Sequence, residues 1–298
     1  MSLSLQTKHM MLLEIIVSIN SGLVIVNKPQ GISSYDVIRT LKKQLGTKKL
    51  GHSGTLDPLA TGVLVVGVER GTKYLNLLDH DCKTYQAHVK VGIRTNTFDS
   101  EGEVVETSSD VVPEASVIKQ VFEQMVGQME QTPPKYSAKK INGVSAYKLA
   151  RQGVEFDIKP QLITIHSLKL IAVDETGFSF ETIVSHGTYI RSLIQDILDK
   201  LGIIGCMDQL IRTVNNGFTL SEAKTLDTIT KDDIIGLDSL LKSTYPSYTT
   251  SDNIIINGGK KLKKDYQLPC IFINEKNNQV IGIYDQYDCD YMKPVFMC

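Results

Sequence analysis

Residues 51–64 read Gly-His-Ser-Gly-Thr-Leu-Asp-Pro-Leu-Ala-Thr-Gly-Val-Leu, a glycine-punctuated loop with a single acid, Asp57, at its centre. Apolar, β-branched runs at 23–26 and 63–68 stand on either side of this acid. Their Gly, Pro and Asn boundaries predict two short buried strands. Asp57 is therefore expected on a loop held between rigid elements, where catalytic groups are commonly placed.

Two interpretations of this loop stay open on the residues alone. Asp-Pro in a glycine-rich segment is typical of a turn, with the carboxylate accepting a hydrogen bond from a backbone N–H. Alternatively, Pro58 holds Asp57 in extended backbone, while Gly54 and Gly62 permit tight turns or close approach to a ligand. The glycine spacing matches neither Gly-x-Gly-x-x-Gly nor a Walker loop, so a nucleotide cradle is not expected.

The composition describes an ordinary globular chain. Its 298 residues are 42% hydrophobic and 22% charged, enough for one large domain and a small one. The formal net charge is -1, so a nucleic-acid binder of this composition must concentrate its lysines on one face. The five cysteines form no Cys-x-x-Cys pair, which favours reduced thiols in a cytoplasmic protein and predicts no metal site. The apolar segment 10–19 carries Glu14 and is too short for a membrane span, so no membrane contact is expected.

Two elements outside the loop carry side chains suited to chemistry. Polarity alternates from 84 to 91, which predicts a strand with Tyr85 on its inward face. Residues 188–201 show an apolar helical stripe, and Arg191 lies in the first turn. A cation there opposes the helix dipole, so we expect a compensating anion and predict that it is Asp57. The alternatives are a core tyrosine and a solvent-facing arginine.

Two other helices are predicted as scaffold. Ser33 or Ser34 caps the first, Asp36 completes a capping box with Ser33, and Gly46 ends the helix. The second covers 114–126 and is amphipathic.

The loop at 51–64 closely resembles the active-site motif of the TruB family of tRNA pseudouridine synthases, and further likeness follows in order along 22–215. The resemblance implies an α+β pseudouridine synthase fold, with a large mixed, mainly antiparallel sheet flanked by helices. It also implies that Asp57 is the catalytic nucleophile and that Arg191, in Gly-Thr-Tyr-Ile-Arg, pairs with it. Tyr85, in Lys-x-Tyr, would stack on the target base and help to remove the C5 proton.

The same resemblance assigns four residues to substrate binding. Lys28 belongs to Lys-Pro-x-Gly-x-Ser-Ser, which resembles the first motif of the family, although the pattern alone favours a solvated surface charge. Tyr189 and Leu210 would line the uracil pocket, and His52 would fill the space that the flipped base leaves. Leu210 begins a segment similar to the family's Leu-Arg-Arg, in which Ile211 stands at the position of the first arginine. Core packing is the alternative for Leu210.

Residues 131–153 form a lysine-rich segment with a Pro-Pro pair, two tyrosines and a short predicted helix. Its cations suit backbone neutralisation and its tyrosines suit base stacking, although an exposed loop has the same pattern. The resembling region of the family is an RNA-gripping thumb, so we name 131–153 the thumb-like segment. RNA contacts are expected from Lys135, Lys139, Lys140, Lys148 and Arg151.

A polar, proline-containing stretch without periodicity predicts a domain boundary near residue 245. We therefore expect an N-terminal extension at 1–21, a catalytic domain at 22–244 and a small C-terminal β domain at 245–298. The last faintly resembles a PUA-like β-barrel. Its lysines would either contact tRNA or lie on a solvated hairpin; they are Lys260, Lys261, Lys263 and Lys264.

The predicted function is that of an RNA-modifying isomerase. A TruB-like enzyme would break the C1′–N1 bond of uridine 55 in the tRNA T-loop, rotate the uracil and join C5 to C1′. It would reach this uridine by recognising the shape of the T-arm and extruding the base. No cofactor or metal is needed, and we expect a cytoplasmic monomer without an obligate protein partner. The alternatives are a tRNA-folding chaperone and a nucleoside or glycoside hydrolase, which would want a second carboxylate near Asp57.

Overall fold

The computed structural model of the chain describes residues 21–78, 82–141, 143–256, 262–263 and 265–298. Apart from residue 21, the expected N-terminal extension lies outside the described residues, and so does the segment 10–19. Of the C-terminal lysine cluster, only the backbone of Lys263 lies within them.

Strands are distributed along the described part of the chain. The first fifteen described are β1 (Gly22–Lys28), β2 (Leu50–Ser53), β3 (Thr61–Val68), β4 (Lys83–Val91), β5 (Ile93–Thr95), β6 (Val104–Thr107), β7 (Gly127–Gln131), β8 (Lys140–Ile141), β9 (Val144–Ser145), β10 (Gln161–Val173), β11 (Gly177–Val184), β12 (Gly205–Asn215), β13 (Phe218–Thr219), β14 (Lys224–Thr225) and β15 (Ile235–Gly236). Those of the C-terminal region are β16 (Ser247–Thr250), β17 (Leu262–Lys263), β18 (Cys270–Asn274), β19 (Val280–Gln286) and β20 (Tyr291–Met297).

The described residues form fewer helices than strands. The helices are α1 (Ser34–Leu45), α2 (Gly71–Leu78), α3 (Ala115–Met125), α4 (Ala146–Arg151), α5 (Ile190–Leu201), α6 (Leu237–Thr244) and α7 (Asn253–Ile256). Short 3₁₀ turns lie at Leu220–Glu222, Leu226–Thr228 and Lys231–Asp233. In the part of the chain that the structure describes, no helix is long and apolar enough to cross a membrane.

Within the described residues, eleven strands form one mixed sheet. Its central order is β14-β1-β3-β12-β4-β11-β10-β7, with β15 on β1, β2 on β3 and β13 on β12. Two pairings are parallel, β1 with β14 and β3 with β12, and the other neighbours are antiparallel. The fold class predicted from the sequence is therefore confirmed. The β3–β12 pairing sets Gly62 beside Arg212, and the β12–β4 register sets Arg212 opposite Tyr85.

Helix α1 begins and ends as the sequence predicts. The Ser33 hydroxyl accepts a hydrogen bond from the Asp36 N–H (3.1 Å), and the Asp36 carboxylate accepts one from the Ser33 N–H (3.0 Å). Gly46 closes the helix in the left-handed conformation, φ 64°. The apolar face, including Val37 and Leu41, packs against β1 and β3. The first residue of α1, Ser34, is hydrogen-bonded to Leu56 in the loop that carries the acid.

Helices α3 and α5 cover the other half of the sheet. Phe122 on α3 meets Phe180 of β11 edge to face, with ring centroids 5.7 Å apart. Leu193 and Ile197 on α5 join the same buried cluster. Each fully buried side chain of this size contributes about 1.5–3 kcal/mol, so the helix face is firmly bound to the sheet. Helix α5 starts two residues later than predicted because Tyr189 is its N-cap.

Strands β16 to β20 form a second sheet in the order β16-β18-β19-β20-β17. Within the described residues this sheet is open rather than closed into a barrel, and its relationship to PUA domains stays a prediction. Its apolar face joins a cluster that includes β1 and β3, where Phe296 meets Tyr74 edge to face at 5.9 Å. The boundary near 245 also stays a prediction, since the two sheets share this core.

Candidate active site

The motif loop, residues 54–60, joins β2 to β3 and is held by residues that follow β1. The Ser34 hydroxyl accepts a hydrogen bond from the Leu56 N–H (2.9 Å) and donates one to the Leu56 carbonyl (3.1 Å). The Gly31 N–H donates to the Pro58 carbonyl (2.9 Å). Because these contacts flank Asp57 on both sides, its backbone is fixed without any ligand.

Lys28 is fully buried beneath the motif loop, so its interpretation as a solvated surface charge is wrong. Its ammonium group donates to the carbonyls of Ile32 (2.7 Å), Pro29 (3.0 Å) and Pro58 (3.3 Å). Burial lowers the pKa of Lys28 to about 8, and the nearby Asp57 carboxylate opposes this shift. These bonds make Lys28 a support for the loop, and its contact with substrate stays a prediction.

Arg191, near the N-terminus of α5, reaches Asp57 directly. Its Nε lies 2.9 Å from Oδ2, and its Nη2 donates to Oδ1 at 3.1 Å. Two-point pairing of this kind is the strong form of arginine–carboxylate contact. The Arg191 side chain is 6% exposed and that of Asp57 is 33% exposed, so the carboxylate remains open to a ligand. The ion pair predicted from the sequence is present.

The remaining donors of Arg191 bind backbone carbonyls and a second acid. Nη1 donates to the Thr97 carbonyl (2.9 Å), and Nη2 also donates to the Tyr136 carbonyl (2.8 Å). The Asp99 carboxylate lies 3.6 Å from Nη1. The guanidinium is therefore fixed by two further segments, the turn at 97–99 and residue Tyr136, which holds it in place before substrate arrives.

Opposing influences act on the Asp57 carboxyl group. Burial raises its pKa above the ordinary value, because it disfavours the charged form. The Arg191 guanidinium lowers the pKa, and the Asp99 carboxylate raises it. Arg191 thus offsets part of the burial effect and favours the ionised form that a nucleophile needs.

A cavity of about 230 Å³ opens beside the Asp57–Arg191 pair. Tyr85 and Leu210 are buried and form adjacent parts of its wall, while Tyr189 is half-buried at the start of α5. Pockets for drug-sized ligands measure about 300–1,000 Å³, so this one suits a smaller group such as a single base. The lining residues are Gly54, Thr55, Leu56, Asp57, Lys83, Tyr85, Ser137, Ala138, His186, Gly187, Thr188, Tyr189, Ile190, Arg191, Leu210 and Arg212.

Two glutamines hold the turn that leads into α5. The Gln131 carboxamide accepts from the Tyr189 N–H (2.8 Å) and donates to the Tyr189 carbonyl (3.2 Å). Gln161 donates to the Gly187 carbonyl (2.7 Å) and accepts from the Lys139 ammonium (2.6 Å). The base of the thumb-like segment is therefore bonded to the turn that presents Tyr189.

The thumb-like segment contains the β8–β9 hairpin and α4. Tyr147 packs edge to face against Tyr136, and the Arg151 guanidinium carbon lies 4.9 Å from the Tyr147 ring centroid. The predicted RNA-contacting residues other than Lys139 are exposed. Their contacts with RNA stay predictions.

His52 lies outside the cavity lining. It is on β2, opposite Val66 of β3. The structure therefore brings together Asp57, Tyr85 and Arg191, but His52 is not among the described residues that line this cavity. Its role in filling the space left by a flipped base stays a prediction.

Two residues of the site escaped the sequence reasoning. Arg212 lines the cavity, is 1% exposed and donates to the carbonyls of Val63 (2.7 Å) and Gly54 (3.0 Å). Its spacing of two from Leu210 was the available signal, because residues i and i+2 share one face of a strand. Asp99 lies in Gly-x-Arg-Thr-x-Thr-x-Asp-x-x-Gly at 92–102, a pattern that by itself favours a polar turn. Among the described residues, no group of three His, Cys, Asp or Glu side chains is placed to bind a metal ion.

Sequence comparison finds relatives across most of the chain. The model of the TruB family pseudouridylate synthase (N terminal domain) matches residues 42–190. A tRNA pseudouridine synthase B from Mycoplasma mobile is 47% identical over 193 residues, which is 64% of this chain and 67% of the relative. One from Clostridium kluyveri is 37% identical over 244 residues, 80% of this chain and 84% of the relative.

Structure comparison extends the likeness in fold. A chain in the structure of an H/ACA RNP bound to a substrate RNA containing 2′-deoxyuridine matches with a TM-score of 0.66 at 20% identity, covering 95% of this chain and 86% of that one. A chain in the crystal structure of a Cbf5-Nop10-Gar1 complex matches with a TM-score of 0.66 at 22% identity, covering 94% and 85%. At these identities the likeness concerns the fold, and it agrees with the architecture predicted from the sequence.

Proposed function

Because the chain belongs to the TruB family of pseudouridylate synthases, we propose that it isomerises uridine 55 in the T-loop of tRNA, with Asp57 as the nucleophile. The names of its relatives support tRNA as the substrate. We further propose that it acts as a monomer in the cytoplasm, without an obligate protein partner.

The observation that carries this proposal is the two-point pairing of Asp57 with Arg191 on the wall of a base-sized cavity. Retaining glycosidases need a nucleophilic carboxylate and a separate acid. Uracil leaves as a resonance-stabilised anion, so one carboxylate suffices if the base stays inside the cavity. Asp57 is the one carboxylate among the described lining residues, which favours isomerisation over hydrolysis.

The reaction needs the bond from C1′ to N1 to break and a bond from C1′ to C5 to form. Asp57 either attacks C1′ or takes part in a glycal route; in both, the uracil turns while the cavity keeps it near the sugar. Tyr85 would stack on the base and help to remove the C5 proton, while Tyr189 and Leu210 restrict its motion. His52 would occupy the place that the base leaves in the RNA.

The thumb-like segment supplies the RNA contacts in this proposal. Its exposed cations neutralise phosphates, and Tyr147 offers a stacking surface. The proposal assigns phosphate contacts to Lys135, Lys139, Lys140, Lys148 and Arg151.

Carbodiimide labelling of pseudouridine in T-arm RNA tests the proposal. Wild-type protein should produce a label at the T-loop uridine, and Asp57→Asn should produce none above background. A near wild-type rate in Asp57→Asn would refute the role of this acid. Release of free uracil would instead indicate a hydrolase.

A folding chaperone is the second candidate, favoured by the exposed basic surface of the thumb-like segment. A chaperone would not need the acid, so Asp57→Asn should then refold tRNA as well as wild type does. Comparing refolding with isomerisation in the two proteins separates these functions.

A further inference from the structure

Arg212 is the largest fully buried side chain in the described structure, yet it lines the cavity. A buried cation is unfavourable unless a negative partner or full hydrogen bonding compensates it. Arg191 has such a partner in Asp57. No carboxylate of the described residues forms an ion pair with Arg212. The cavity wall therefore carries a fixed positive charge that no ion pair with these residues neutralises.

Backbone contacts hold this charge in place. Nε donates to the Val63 carbonyl at 2.7 Å and Nη2 to the Gly54 carbonyl at 3.0 Å, so the guanidinium links the start of the motif loop to β3. Gly62 permits the backbones of β3 and β12 to approach closely: it adopts φ 100°, and a Cβ there would lie 2.3 Å from the Arg212 carbonyl oxygen. The guanidinium is therefore positioned by backbone and need not reorganise during a reaction.

The Nη1 end of the Arg212 guanidinium lies at the cavity wall, close to Gly54 and Tyr85. Nη1 lies 3.3 Å from the position of a Cβ on Gly54, a cavity-lining residue. The Arg212 guanidinium carbon is 6.0 Å from the ring centroid of Tyr85, at the outer limit of a cation–π contact. A base on Tyr85 would thus share the cavity with a cation that has no carboxylate partner among the described residues.

We propose that Arg212 is a further catalytic residue, whose guanidinium stabilises the negative charge that develops on the uracil as the C1′–N1 bond breaks. This inference rests on the proposed function. In the direct route, an Asp57 oxygen bonds to C1′ and the C1′–N1 electron pair leaves with the uracil, whose charge spreads over N1, O2 and O4. C5 then bonds to C1′ and releases the carboxylate. Finally, C5 loses its proton and N1 gains one.

Replacing Arg212 with glutamine and changing the leaving group tests this role. Fluorine at C5 withdraws electron density, so 5-fluorouracil leaves with less need of a cation. We expect Arg212→Gln to slow single-turnover consumption of the target uridine by about 10²–10³-fold, the usual effect of losing one such donor. With 5-fluorouridine at the same position, the loss should be at least about tenfold smaller. Nuclease digestion and chromatography of the nucleosides measure both rates.

Asn215→Ala is the matched control for loosening the loop without removing charge. The Asn215 side chain is buried outside the cavity lining and donates to the Ser53 carbonyl at 3.1 Å, immediately before Gly54. Loss of the Asn215 side chain should slow the reactions of uridine and 5-fluorouridine by the same factor. If Arg212→Gln also slows both substrates equally, Arg212 only supports the loop and the inference is wrong.

Arg212→Lys provides an independent measurement. Lysine keeps a cation but cannot bridge two carbonyls, so a charge role predicts a rate at least about tenfold above that of Arg212→Gln. A purely structural role predicts equal rates. Should the glutamine variant fail to fold, the lysine variant decides: a uridine loss under about tenfold supports the inference, and a larger one overturns it. A wild-type protein that leaves the T-loop uridine unchanged would instead overturn the proposed function.

Discussion

The motif loop and the thumb-like segment border the same cavity but differ in how their charges are held. Asp57, Arg191 and Lys28 have short-range partners within the protein, and both cations are buried. The cations of the thumb-like segment are mostly exposed. Exposed charges contribute little to stability and are screened by salt, whereas buried pairs depend on fixed geometry. Under the proposed function, the loop would be organised for chemistry before RNA binds, and the thumb-like segment would serve contact with RNA.

Asp57→Asn should give the largest difference between the two regions. Loss of a nucleophile typically lowers the rate by about 10⁴-fold or more, while RNA affinity should change by less than about threefold. Single-turnover isomerisation and filter binding of T-arm RNA measure the two quantities. A parallel loss of RNA affinity would show that the motif loop also binds RNA, and the division of roles between the loop and the thumb-like segment would then be wrong.

Arg191→Met should have the next largest effect, about 10²–10³-fold on the rate. The variant should also change the pH dependence. Burial already raises the pKa of Asp57, and removal of Arg191 takes away the opposing effect. Since the ionised form is active, the rate falls as pH drops through this pKa, and the fall should begin at higher pH in the variant. Rates between pH 5 and 9 test this, with Arg191→Lys expected to show a smaller displacement.

Lys140→Ala with Lys148→Ala tests the other region. Loss of two phosphate contacts should raise KM by about tenfold, reduce the salt slope of binding by about 1 per contact and leave kcat unchanged. Lys276→Ala with Lys169→Ala, at exposed positions outside the thumb-like segment, controls for the loss of two positive charges. A fall in kcat without a change in the salt slope would contradict the division between the regions.

Lys28→Met should give the smallest effect, on stability. The pKa of Lys28 is lowered to about 8 in the folded protein from 10.5, so between these pH values the unfolded chain binds more protons than the folded one. Stability from this group therefore rises with pH across the window, by at most about 1.4 kcal/mol per pH unit. Urea unfolding at pH 7.5, 9 and 10 should show that the free energy of unfolding of the wild type, relative to that of the variant, increases with pH. A constant difference would mean that Lys28 keeps its charge.

The fold and the Asp57–Arg191 pair were predictable because the local sequence pattern and the tertiary geometry agree at these elements. The capping box of α1 and the inward parity of Tyr85 follow from the sequence and appear in the structure. Because Arg191 lies in the first turn of a helix, the sequence predicts an anion beside it, and in the structure that anion is Asp57.

Burial across distant segments was the part that sequence reasoning missed. The pattern around Lys28 favours a surface cation and the sequence predicts no partner for Arg212, yet both bind backbone carbonyls of the motif loop. Those partners are defined only by strand order, chiefly the short parallel pairing of β3 with β12. A single sequence gives no periodic signal for such a pairing.

The C-terminal sheet has a consequence for any shortened form of the protein. Phe296 and Ile283 of that sheet share a buried cluster with Ile25 of β1 and Val65 of β3. Cutting the chain at 244 would expose this apolar surface on β1 and β3, the two strands that flank the Asp57 loop. A truncated enzyme should therefore aggregate and lose activity, even if the C-terminal sheet makes no contact with RNA in the full-length protein.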